Sequence, residues 1–240
     1  MQKSIQVRTE VRSEVARPAS RTGTALIILA KAPVPGFVKT RLIPAVGSAG
    51  AAAIAESLLT HTLGQAIESN ADRIELCASP EPTHPSIRQA LDRVSGWANS
   101  RLHLSRQPPG DLGHRMDHSI SRLLAHHGKV LLIGTDAPAL TADKLRQSSA
   151  ALDRSPAVFV PAYDGGYALV GMTTEAPFLF ENMAWSTPAV MATTRQRLRE
   201  QQWSWTELDP VHDIDEPQDL AHLPTFLWPA GVRRPVRQEV

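Results

Sequence analysis

The sequence predicts an α/β domain, and three observations lead to that class. Short apolar runs of strand length, Ala25–Ala30, Val130–Ile133 and Ala157–Pro161, alternate with longer stretches of helical periodicity. Clusters of glycine, proline and charged residues follow these runs, at the carboxyl ends where open α/β sheets bind ligands. The length, 240 residues of which 42% are apolar, suits one such domain with tails.

Charge is unevenly placed. Residues 1–23 carry +3 and residues 224–240 carry +2 of a formal total of +1, which leaves −4 for 24–223. An acidic core lacks the basic stripe of a nucleic-acid face, so no nucleic-acid partner is expected. No apolar run approaches the ~20 residues of a membrane helix, so no membrane span is expected either. Cys77 is the only cysteine. That excludes disulfide scaffolds and cysteine-rich zinc sites, and Cys77 reads as a small buried strand residue. Residues 1–23 lack the apolar centre of a secretory signal, and Glu10 and Glu14 count against a transit peptide. The expectation is a disordered basic arm over 1–23, a domain over 24–223, a flexible tail over 224–240 and a cytoplasmic location.

The first strand, Ala25–Ala30, leads into Lys31-Ala-Pro-Val-Pro-Gly-Phe-Val-Lys-Thr-Arg-Leu42. Two prolines and Gly36 forbid a regular element there and stiffen the loop. Its cations Lys31, Lys39 and Arg41 suit a clamp on phosphates, or else a solvated basic loop. Neither a P-loop nor a Gly-x-Gly-x-x-Gly fingerprint occurs here. Ser48 is a candidate cap for an Ala-rich helix to Glu68, with Ala55, Leu58, Leu59, Thr62 and Ala66 on one face. Arg73–Ala78 reads as a strand, Pro80–Pro85 as a loop, the following residues as a helix to Val94, and Leu102–Leu104 as a short strand.

Asp111 caps the next helix, whose stripe is Leu112, Met116, Ile120 and Leu123. His114 and His118 share its other face at a spacing that can bind metal, and exposed histidines are the preferred reading. Val130–Ile133 is a buried strand, and Asp136 sits just past its carboxyl end. That carboxylate either shapes the turn and caps the next helix, or meets a metal, a cation or several donors. Thr141 caps a helix to Leu152, and Ala157–Pro161 is a strand. Tyr163-Asp-Gly-Gly-Tyr167 is either a hairpin turn or a surface for sugars and bases. Trp185-Ser-Thr-Pro188 opens a helix through Leu198, and Trp203–Leu208 is a late strand. Asp213 and Asp215 follow, one residue apart, as magnesium ligands or helix-capping acids, and Glu216-Pro217 opens a last short helix.

Five stretches together carry a resemblance. They are Leu29–Leu42, Gly110-Asp-Leu-Gly-His-Arg115, Ile133-Gly-Thr-Asp-Ala-Pro138, Asp164-Gly-Gly-Tyr167 and Asp213-Ile-Asp-Glu-Pro217. In this order, over 24–223, the chain resembles the bacterial rSAM/selenodomain-associated, glycosyltransferase-like transferases, relatives of MobA-like and CofC-like nucleotidyltransferases. His114 and Ala137 depart from the pattern, where an acidic or amide residue and Ser or Cys are usual.

The resemblance implies a single GT-A, nucleotide-diphospho-sugar transferase-like domain with helices on both faces of a mixed, mostly parallel sheet. It implies Mg²⁺ or Mn²⁺ on Asp136, with Asp213 or Asp215 beside it. Lys31, Gly36, Lys39, Arg41, Asp111 and Arg115 fall to the nucleotide, and Tyr163, Asp164, Gly165, Gly166, Tyr167 and Trp185 to the sugar or acceptor. Asp136, Lys39 and Asp164 are the catalytic candidates. The first expectation is a glycosyltransferase that takes a nucleotide-diphosphate sugar and a small-molecule acceptor. The alternatives are a nucleotidyltransferase releasing pyrophosphate and a nucleotide-binding module without turnover. Nothing in the sequence favours one oligomeric state.

Overall fold

The computed structural model describes residues 21–94 and 101–234. Seven strands form one sheet in the order β3-β2-β1-β4-β6-β5-β7. They are β1 Thr24–Lys31, β2 Arg73–Ser79, β3 Leu102–Arg106, β4 Lys129–Ile133, β5 Ala157–Pro161, β6 Tyr167–Met172 and β7 Trp205–Glu207. β6 pairs antiparallel with both β4 and β5, and every other pairing is parallel. The sheet is therefore mixed and mostly parallel.

Strand periodicity builds two cores. Leu26, Ile28 and Ala30 of β1, Leu131 and Ile133 of β4, and Val158 and Val160 of β5 face one side. There they meet Leu59, Leu63 and Ala66 of α1 (Ile43–Glu68), Ile87, Ala90 and Leu91 of α2 (Pro85–Asp92) and Leu145 of α4 (Ala142–Ala151). The alternate residues, Ala25, Ile27, Val130, Leu132, Ala157 and Phe159, face the other side. They pack on Met116, Ile120, Leu123 and Leu124 of α3 (Leu112–Leu124) and on Met191 and Leu198 of α5 (Val190–Glu200). Three layers result, with strands buried on both faces, which is why they read as unbroken apolar runs.

Several local expectations take a different form. α1 begins at Ile43 and breaks at Gly47 (φ 72, ψ 167), immediately before the expected start at Ser48. By length and composition the Thr40–Glu68 segment could span a bilayer (mean hydropathy 1.5). In the fold its apolar side chains pack against the sheet, α2 and the C-terminal segment. α5 starts at Val190, after an irregular turn at Trp185–Pro188. Asp111 and Thr141 do cap α3 and α4, accepting from the amides of His114 (2.8 Å) and Lys144 (3.3 Å).

Glu75 is a polar feature that periodicity did not reveal. Its carboxylate is fully buried on β2, held by Arg122, Arg73 (3.2 Å) and the hydroxyl of Ser105 (2.6 Å). Burial alone would raise its pKa; hydrogen bonds from Arg122 and Ser105 outweigh that and hold it below the ordinary value. Cys77, two residues on, is buried as expected.

Part of each expected chain end lies among the described residues. Residues 1–20 and 235–240 lie outside the described residues. Arg21 donates to the Leu124 carbonyl at the end of α3 (2.7 Å). Beyond Pro224, a turn at Thr225–Leu227 buries Leu227 against Leu42, Ile54, Leu58 and Ile214, and Val232 packs beside it. The part of the expected tail over 225–232 thus covers the apolar side of α1 that the sheet leaves open.

Candidate active site

Strand order decides where the site lies. From β1 the chain winds outward to β2 and β3, then returns to β4 on the other side of β1. The loops leaving β1 and β4 therefore part at their carboxyl ends and open a crevice. A cavity of about 580 Å³ fills it, the scale of small-molecule sites. The walls come from the β1–α1 loop, the start of α3, the β4–α4 loop, the β5–β6 turn, the approach to α5 and the 213–215 segment.

Carboxylates gather on one side of that space. Asp136, Asp164, Asp213 and Asp215 all line it. Asp164 accepts the amide of Gly166 (2.8 Å) within the β5–β6 turn, so one oxygen is fixed by its own loop. The turn is a hairpin, and it also faces the cavity. Asp213 is pushed up from 3.8 to about 6, by burial and then by the negative charges of Asp164, Asp219 and Asp136. Asp215 is ion-paired with Arg41 (2.5 Å).

Lys39 takes a place that its sequence position did not suggest. Its side chain is 4% exposed, and Nζ lies 2.6 Å from Asp136 Oδ1 and 3.9 Å from Asp215 Oδ1. It also donates to the carbonyl of Ile214. Its backbone is left-handed (φ 49, ψ 42), an uncommon state for a side chain of this size that persists where the surroundings hold it. Lys39 thus joins three loops at the cavity wall. It meets carboxylates, where the sequence suggested phosphate.

The remaining candidates divide by position. Lys31, Asp111, Arg115, Gly166, Tyr167 and Trp185 line the cavity. Gly36, Arg41, Tyr163 and Gly165 do not contribute to its wall. Tyr163 is 63% exposed and stacks on His212 (4.2 Å), which stacks on His222 (3.6 Å). Tyr167 instead meets Phe159 and Trp185 edge-on (5.4 and 6.4 Å), and burial raises its phenol pKa. Gly165 shapes the hairpin from behind. At φ 92, a Cβ there would sit 2.2 Å from the Pro188 carbonyl oxygen. His114 and His118 are exposed on α3, their rings 6.1 Å apart.

Some wall residues had no legible sign. Gln107 donates through Nε2 to the carbonyls of Ala30 (2.9 Å) and Cys77 (3.1 Å), and its Oε1 accepts from Arg115 (3.2 Å). Arg115 Nε donates to Gly110 as well (2.9 Å). An amide between Arg106 and Pro108 carries no pattern, so its role comes from tertiary structure alone. Gly113 did leave a trace, as the second glycine of Gly110-Asp-Leu-Gly113. A Cβ there would meet the Phe180 carbonyl (2.5 Å) and Trp185 Nε1 (2.7 Å), so glycine lets the indole approach α3.

The donor set determines whether a metal fits. Among the described residues, no group of three or more His, Cys, Asp or Glu side chains is arranged to hold an ion. Two carboxylates are enough for a magnesium-type site completed by water and substrate phosphates. Asp136 and Asp213 fit that role. Both face the cavity, and Asp213, half-buried beside Asp164, Asp219 and Asp136, has its pKa raised first by burial and then by those charges. Asp215 fits less well, because two cations meet it, Arg41 at 2.5 Å and Lys39 at 3.9 Å, where Lys39 alone is paired with Asp136 among the described residues.

Solved structures share this architecture. A protein from Desulfovibrio desulfuricans G20, named provisionally as a nucleotide-diphospho-sugar transferase, superposes with a TM-score of 0.74. It is 25% identical, and the match covers 89% of this chain and 91% of that one. The 4-diphosphocytidyl-2C-methyl-D-erythritol synthase of Anaerococcus prevotii aligns at 0.56 and 10% identity, over 86% and 98% of the two chains. A Mycobacterium tuberculosis protein solved with manganese aligns at 0.52 and 15% identity, over 85% and 98%. At such identities the last two share the fold alone. The fold is accordingly that of the GT-A-like nucleotide-diphospho-sugar and nucleotidyl transferases. No functionally curated protein matches the sequence. Residues 62–187 match the family described as "Uncharacterized protein conserved in bacteria (DUF2064)", and with more than half its length inside that match the chain belongs to this family.

Proposed function

We propose that the protein is a metal-dependent glycosyltransferase whose donor is a nucleotide-diphosphate sugar. The observation that carries this reading is the crevice between β1 and β4, whose lining brings the carboxylates of Asp136, Asp164 and Asp213 and the cations Lys31 and Arg115 to one cavity. A diphosphate needs both, because its charge must be met by cations and by groups that can recruit one. The similarity to the Desulfovibrio protein supports a sugar nucleotide as donor.

A divalent ion held by Asp136 and Asp213 would supply positive charge as the diphosphate departs. The chain's own residues do the rest. Lys31 and Arg115 orient the nucleotide. Gln107 holds the Arg115 guanidinium in place, so little side-chain freedom is lost on binding. Tyr167 and Trp185 form an apolar side that excludes water from the transferred sugar. The bond from the anomeric carbon to the diphosphate breaks as the acceptor oxygen bonds to that carbon. Asp164, fixed by the Gly166 amide, takes the acceptor's proton.

The test is product analysis. The protein, with Mn²⁺, is incubated with nucleotide-diphosphate sugars and separately with nucleoside triphosphates plus phosphorylated acceptors. Free nucleoside diphosphate from the first set is the expected product. Pyrophosphate from the second set alone would replace this reading with nucleotidyl transfer. Tight nucleotide binding in chelator, with neither product, would leave a binding module.

A further inference from the structure

The pairing of Lys39 with Asp136 bears on how a metal could ever reach the site. Asp136 Oδ1 is taken by the ammonium at 2.6 Å, and Lys39 is 4% exposed where Asp136 is 47% exposed. A divalent ion held by the same carboxylate would share that one group with the ammonium. Two cations that close in a half-buried setting repel strongly, so the ammonium and the ion exclude one another. Around it the ammonium is already engaged by the Ile214 carbonyl and lies 3.9 Å from Asp215. The open direction is the cavity, which Lys39 itself lines.

Resting on the reading of Asp136 as a cation ligand, we infer that Lys39 is a built-in counter-cation that keeps Asp136 closed to a divalent ion. Phosphate oxygens of the nucleotide draw Nζ into the cavity, and the carboxylate is then open to the metal. Metal binding is thereby coupled to nucleotide binding, and the coupling is reciprocal. The strained backbone of Lys39 agrees with a residue held in place by its partners.

The experiment measures Mn²⁺ affinity without nucleotide, by paramagnetic resonance of the free ion. The wild type is compared with Lys39→Met, with Lys39→Gln, which keeps a donor for the Ile214 carbonyl, with Asp136→Asn and with the Lys39→Met/Asp136→Asn double variant. Both Lys39 variants should bind Mn²⁺ at least about tenfold more tightly than wild type. The double variant should lose that gain. Equal affinity in wild type and Lys39 variants, with weak binding in Asp136→Asn, would overturn the gating and leave the metal reading intact. No Mn²⁺ binding by any protein would overturn both. Should the Lys39 variants fail to fold, the wild type decides. The Lys39 ammonium resonance in ¹⁵N-lysine-labelled protein should shift or broaden on Mg²⁺ saturation in the presence of nucleoside diphosphate. An unchanged resonance would overturn the inference.

Discussion

The amide of Ile214 donates to the carbonyl of Asp136 at 2.8 Å, so the two acidic loops are joined main chain to main chain. Lys39 closes the same junction by donating to the Ile214 carbonyl. Asp136 is therefore held by its backbone whatever its side chain becomes.

Asp136→Asn should keep the loop in place and remove the anion that faces a buried ammonium. Lys39 would retain only the Ile214 carbonyl and Asp215 at 3.9 Å. Stability without ligand should fall by about 1–3 kcal/mol, less than for a fully buried pair because Asp136 is half exposed. Turnover should fall about a hundredfold or more, the scale of losing a main electrostatic stabiliser. Urea unfolding and steady-state kinetics on one preparation check both. Unchanged stability would show that the Lys39 contact contributes nothing in solution.

Asp213 predicts a pH dependence. Its folded pKa of about 6 exceeds the ordinary 3.8, so the folded state holds this proton more tightly than the unfolded chain. The stability it contributes is fully present below pH 3.8 and is lost as pH rises through 6. Mn²⁺ competes with that proton, so Mn²⁺ affinity should rise over the same interval. In Asp213→Asn, thermal melts across that interval should be flatter than in wild type, and Mn²⁺ added with nucleoside diphosphate should stabilise less at pH 7.5. An identical pH profile in the variant would refute this assignment.

Gly165→Ala tests the hairpin behind the cavity. The added methyl meets the Pro188 carbonyl at 2.2 Å, and the backbone is left-handed at φ 92. The Gly165 carbonyl also accepts from Met191 at the start of α5 (2.8 Å), so displacement passes to the approach that carries Trp185. A loss of at least about 2 kcal/mol is expected. Gly36→Ala is the control. It has a similar φ of 83 but open space around it, and should lose only about 1 kcal/mol. Equal losses in the two variants would mean the Pro188 contact is relieved at no cost.

Truncation after Pro224 should destabilise the protein. Leu227 is 6% exposed, and its carbonyl accepts from Ser57 of α1 (2.7 Å). Leu227→Ala alone should cost about 2–3 kcal/mol. Melting temperature measures both, and a truncated protein that melts with the full chain would show that this segment merely lies on the surface.

Elements read most clearly where burial on both faces left no choice of residue. Ala25–Ala30 and Val130–Ile133 are apolar because helices cover both sides, and their strand assignment needed no further context. The capping residues Asp111 and Thr141 were equally legible, since an N-cap is a local hydrogen bond. Leu227 was not, because its burial depends on α1 leaving a face uncovered, and composition around Pro224 and Arg233 suggested a tail. At the site, charged residues showed themselves by type, but their pairing did not. Lys39 and Asp136 are 97 positions apart in the numbering, and only the parallel register of β1 and β4, with Ile28 beside Ile133, brings their loops together. Glu75 was hidden for a related reason, as its partners Arg122 and Ser105 lie on other elements.

The single reversed strand bears on how such a pocket can diversify. Were β6 parallel, a helix would separate it from β5, and the loop at the ligand end could lengthen without disturbing either strand. Instead the 162–166 turn joins β5 to β6 directly, and β6 pairs with β4 and β5 at once. One inserted residue there would risk exchanging the faces that Leu169 and Val170 now present to the two cores. The crossing from Thr173 to Ala189 is bound by no ladder and brings Trp185 and Thr187 to the same pocket. Relatives that come to accept a different molecule should therefore differ in the length and sequence of that crossing, while the hairpin keeps its five residues.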